Sequence, residues 1–148
     1  MPFNQITPMS AIQSYMQERI EMNEQLILER LMYAGEACVR EARTARTYKD
    51  RTGNLTSSMG YVVVNNGNIV QASSFEQVKS GSEGSTGGEA FAKEIAGKNI
   101  KGLVLIVVAG MNYAKYVAAK GYNVLDSSED LAESLVPQLM KQLGFTVK

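Results

Sequence analysis

Apolar and small residues between positions 9 and 47 recur in steps of three and four: Ile12, Met16, Ile20, Ile27, Leu31, Ala34, Cys38, Ala42 and Ala45. That is the period of one helix face. Leu28, Met32 and Val39 widen the stripe in its second half. No proline interrupts residues 9–47, and Gly35 is their only glycine; Thr7 or Ser10 can cap the start, with Pro8 in the first turn. Unbroken, such a helix reaches roughly 50 Å. A domain of this size needs less, so one end is expected to project or to meet a neighbour. A break near Asn23 or Gly35 is the alternative.

After Asp50 the period changes to two. Met59-Gly60-Tyr61-Val62-Val63-Val64 and Ile69-Val70-Gln71-Ala72 read as strands, and Asn65-Asn66-Gly67-Asn68 between them is a hairpin turn. Residues 80–88, rich in Gly and Ser, hold nothing apolar and read as the core of a flexible loop at about 73–90. Glu89 to Ala96 suits a short helix ended by Gly97. Leu103 to Ala109 is the most hydrophobic segment, and its β-branched residues suggest a central strand buried on both faces. Met111 to Lys120 fits either strand or helix. Asp126 to Asp130 resembles a capped helix start, and Leu131, Leu135, Leu139 and Leu143 continue an amphipathic helix that Pro137 is expected to kink or divide. The fold class implied is α+β: a long N-terminal helix and a C-terminal helix packed on one face of a small, mainly antiparallel sheet, in a single domain spanning 1–148.

Composition narrows the function more than the fold. The 148 residues are 45% hydrophobic and 20% charged, ordinary for a globular protein, and 15 basic residues balance 15 acidic ones. Zero net charge draws the whole molecule neither to nucleic acid nor to an anionic membrane. The longest apolar run, Leu103 to Gly110, is far shorter than the roughly 20 residues that span a bilayer. The N-terminus has no signal-peptide pattern, and the lone Cys38 sits on the helical stripe as a small buried hydrophobe, so folding in a cytoplasm is expected.

The chain has no histidine, which removes the commonest general base and the commonest zinc ligand. Cys38 therefore lacks an imidazole partner. The glycines of 80–88 are not followed by the Lys-Ser/Thr of a phosphate loop. Asp126, Glu129, Asp130 and Glu133 lie at the start of a helix, where the dipole accounts for them. No catalytic, metal or cofactor-binding residue is assigned. Arg40, Arg43, Arg46, Lys49 and Arg51 line one side of the long helix's end, as a solvated terminus or as a contact patch for an acidic partner or DNA phosphates.

Two short segments carry a resemblance. Thr52-Gly53-Asn54-Leu55-Thr56-Ser57-Ser58-Met59, between the long helix and the hairpin, resembles the Thr-Gly-Asn-Leu-x-x-Ser-Ile signature of the HK97 gp10-like phage tail-component (tail-completion, neck) family. Tyr113-Ala114-Lys115-Tyr116-Val117, after the hydrophobic strand, is similar to that family's Tyr-Ala-x-Tyr-Val. Ala118 to Tyr122, and Val124-Leu125 before the last helix, depart from the family's pattern. The resemblance implies a non-enzymatic virion protein of the neck or tail, assembled in the host cytoplasm. Copies would join as a homo-oligomeric ring, a hexamer or dodecamer, between connector or head-closure proteins and the tail tube. DNA would pass through unread. The alternative is a small cytoplasmic α+β module that binds a protein or nucleic acid through the basic patch at 40–51. Independently of any family, Gly53-Asn54 suits a tight turn from helix to strand, and Leu55 would re-enter the core.

Overall fold

The computed structural model describes residues 9–50, 52–99, 101–111 and 114–145, and of 115–117 the backbone alone. Helix α1 (Met9–Thr44) is continuous through Asn23 and Gly35. Gly35 serves packing there: the Tyr61 ring lies so close that a methyl group would sit 2.6 Å from its carbons. Ser10 falls inside the helix, while Thr7 and Pro8 lie outside the described residues. A short helix, α2 (Asn54–Ser57), leads into the hairpin of β1 (Met59–Asn65) and β2 (Asn68–Ala72). Asn66 and Gly67 turn it with φ of 51° and 87°, the paired left-handed conformations that match the strand twist.

Strand β3 (Leu103–Ala109) pairs antiparallel with β1, giving the sheet order β2-β1-β3. The fold is thus α+β, with long N-terminal and C-terminal helices about a small antiparallel sheet. Two expectations change. The central strand is β1, buried from Met59 to Val64, whereas β3 is a half-buried edge. Its apolar run serves two faces at once: Leu103, Leu105 and Val107 pack beneath α1, and Ile106 and Val108 pack towards α3.

The second change concerns the glycine-rich segment, which is not a loop. Residues Ser82–Lys98 form one helix, α3, against the opposite face of the sheet from α1. Gly84, Gly88, Ala92 and Ala96 are its buried positions, in steps of three and four. A Cβ at Gly84 would meet the Asn54 carbonyl, and one at Gly88 the Ser58 carbonyl. The glycines let the helix lie directly on backbone. Helices therefore cover both faces of the sheet, and only residues 73–81 of the expected loop lack helix or strand.

Residues 114–119 form α4 (Ala114–Ala119), and α5 (Asp126–Gln142) runs through Pro137 without ending. Pro137 cannot donate to the carbonyl of Glu133. Glu133, whose carbonyl loses that donor, lies on the exposed side of the helix. Helix α5 lies along α1, tied by Ser128, whose Oγ donates to the Cys38 carbonyl at 2.7 Å. Cys38 is fully buried there, and burial next to Glu41 pushes its thiol pKa up.

Candidate functional site

The segment between α1 and β1 is held by a buried carboxylate. Asp50 Oδ1 accepts from the Gly53 amide at 3.1 Å and Oδ2 from the Thr56 amide at 2.9 Å, so both oxygens serve amides of the turn and of α2. Gly53, at φ 80°, reverses the chain. Thr52 Oγ1 accepts from the Asn54 amide, and Asn54 Oδ1 accepts from the Gly84 amide at 3.0 Å, fastening α3 to the turn. Leu55 is 2% exposed and joins Ala42, Tyr48, Met59, Ala114 and Val124 in one apolar cluster. Every described member of the Thr52–Leu55 motif thus has a partner inside the fold.

The basic patch divides. Arg43 donates to the carbonyls of Met59 and Glu76, and burial lowers its pKa despite the neighbouring Glu76. Arg46 donates to Thr56 Oγ1 at 2.7 Å and lies 3.9 Å from Asp50. The Arg43 guanidinium ties α1 to β1 and to the 73–81 segment, and that of Arg46, just past α1, braces α2. Arg40 and Lys49 are exposed, and Arg51 lies outside the described residues. Of the second landmark, Ala114 is buried in the cluster with Leu55. Tyr113 lies outside the described residues, and of Tyr116 and Val117 only the helical backbone of α4 is described. The two motifs therefore meet in one core at Leu55 and Ala114.

Two surfaces escape a motif reading. Residues 9–26 of α1 are exposed without exception, including Ile12, Tyr15, Met16, Ile20, Met22 and Leu26. The stripe from Met9 through Ile12, Met16 and Ile20 continues the face that buries Leu31, Ala34 and Cys38 further on. Its period was legible; that none of the described residues covers it was not. The second surface is a mainly apolar groove of about 500 Å³, lined by Phe91 of α3, Ala109–Met111, Ala114 and Ala118 of α4, and Val124–Leu125, with the acidic Asp126 at the start of α5. Residues from four stretches build it, so no local pattern announces it.

Among the described residues, no group of three or more His, Cys, Asp or Glu could hold a metal, and no helix is long and apolar enough to cross a membrane. Compared with protein-family models, curated proteins and solved structures, the chain matches none.

Proposed function

We propose that this chain is a structural subunit of the head–tail junction of a tailed bacteriophage, a tail-completion or neck protein that works without catalysis. The observation that carries the reading is the α1 arm. Eighteen residues at the start of a 36-residue helix project with large apolar side chains in solvent, as suits a subunit completed only by its neighbours. The order of Thr52–Leu55 and Tyr113–Val117 along the chain supports it. So does the part these motifs play in the fold, since none of their described side chains is held ready for a reaction. In this reading copies form a ring between connector or head-closure proteins and the tail tube, and DNA passes through unread.

Binding of an acidic partner or nucleic acid through residues 40–51 draws less support. Arg43 and Arg46 are occupied inside the fold, which leaves Arg40 and Lys49 as exposed, described cations of that run. The test is localisation: antibody or gold labelling of purified particles should mark the neck. Particles that lack the chain would overturn the proposal.

A further inference from the structure

The paired helices α1 and α5 stand off-centre on the sheet. Helix α1 packs on β1 and β3. Helix α5 packs along α1 on its β3 side, where Ser128 meets Cys38 and Val136 joins Leu103, Leu105 and Val107. Packed helices lie about 8–10 Å apart and paired strands about 4.8 Å. Helix α5 therefore stands beyond β3, over the place of a fourth strand. A cavity of about 310 Å³ opens beneath it, between Cys38, Leu105 and Val107 and the α5 residues Ser128, Glu129 and Ala132. Among the described residues no strand fills that place.

The outer edge of β3 supplies the backbone for one. The Gly110 amide donates to the Ser58 carbonyl and the Asn66 amide to that of Gly102, at the two ends of the β1–β3 ladder. Bonded pairs alternate in such a ladder, so Val104, Ile106 and Val108 bond to β1. The amides and carbonyls of Leu103, Leu105 and Val107 face outwards. No charged residue or proline blunts this edge. Its occupant must be an extended strand with one face free to lie beneath α5. Strand β3 of another copy fails, because its own α1 and α3 already cover both its faces. Strand β2 fits. Helix α3 packs on one face of it, while on the other, where Gln71 pairs with Val63, α1 stands over β1 and β3 instead. The strand carries no charge, and Ile69 and Val70 are 39% and 43% exposed. Gln71 brings an amide that can donate to Glu129, the one charged residue lining the cavity and itself exposed. The helix in excess at one edge of the sheet thus matches the bare strand face at the other.

We infer that β2 of one copy adds to the β3 edge of the next, beneath its α5, and joins copies head to tail through a continuous sheet. Strands β2 and β3 run the same way, because each is antiparallel to β1, so the new pair in a row of like-oriented copies is parallel. Donor and acceptor are different edges, which makes the contact heterologous and repeating. Each copy sets α1 and α5 on one face of its three strands and α3 on the other, so a row bends with α3 on its inner side. The inference rests on the ring reading and names its contact.

Two substitutions outside the buried core test it. Val70→Lys charges β2, and Ala132→Arg fills the place beneath α5. Each alone should weaken self-association about a hundredfold, since a cation would have to be buried. Mixed, they retain one sound β2 and one open place, so sedimentation should show a one-to-one dimer that grows no further. Amide exchange in the wild-type protein reads the contact itself. On association the Leu105 and Val107 amides should slow about tenfold or more, while those of Val104 and Ile106, bonded to β1 throughout, stay as they were. Association that leaves Leu105 and Val107 unchanged, no dimer in the mixture, or a wild-type protein monomeric up to about 1 mM would each overturn the strand addition. Those results concern the contact alone, whereas absence from particles would overturn the neck reading.

Discussion

Two glycines of one helix show how little residue type predicts without its surroundings. In α3, Gly84 rests on the Asn54 backbone, while Gly97 has nothing within 4 Å of where a Cβ would stand. Alanine is intrinsically the better helix former by about 1 kcal/mol. Gly97→Ala should therefore stabilise the protein by roughly 0.5–1 kcal/mol in urea unfolding. Gly84→Ala should destabilise it by about 2 kcal/mol or more, because a backbone carbonyl cannot step aside as a side chain can. At the turn, Asp50→Ala leaves two buried amides without their acceptor and should cost about 3 kcal/mol by the same assay. Tyr61 adds a pH dependence. Its hydroxyl donates to Glu36 at 3.0 Å, and burial, reinforced by that carboxylate, pushes its pKa up to about 12 from 10.0. The folded state thus holds this proton more tightly than the unfolded chain. The stability it contributes is complete below pH 10 and falls as pH rises towards 12. Alkaline unfolding followed by circular dichroism should show that loss, and Tyr61→Phe should flatten it.

At the scale of elements, α1 consists of two different objects. Residues from Leu31 to Ala42 bury one face against the sheet and α5, and residues 9–26 bury none. Local propensity and pairs such as Gln17–Glu21 are what the arm has to itself, and isolated helices of this length are marginal in water. Amide exchange should therefore be fast across 9–26 and slow across 31–42 in the isolated protein. Uniform slow exchange over the whole helix at low concentration would show that the arm is covered by something within its own chain. Helix α3 draws on the opposite resource. Its glycines lower intrinsic helicity, and contact with α2 and β1 offsets that loss.

For the whole molecule, zero net charge conceals an acidic arm and a basic shoulder. Replacing the exposed Arg40 and Lys49 with alanine should leave stability within about 0.5 kcal/mol in urea unfolding.

Periodicity along the chain determined α1, the hairpin, β3 and α5, because each buries a face whose spacing is written in consecutive residues. The Asn66-Gly67 turn was equally legible, since few residues accept its backbone angles. Sequence also marked Thr52–Leu55 as a turn that returns Leu55 to the core. Only the tertiary structure decided which strand is central, since β1 and β3 are both apolar and their order depends on pairing. It also decided that 82–88 is helical. Glycine signals freedom when read alone, but at positions 84 and 88 it provides room for another backbone, and that backbone lies about thirty residues earlier in the chain. The stripe on α1 was visible at once as an amphipathic face. That its first half meets solvent, while a groove of matching character opens at the far end of the molecule, depends on where the body ends, and no run of consecutive residues records that.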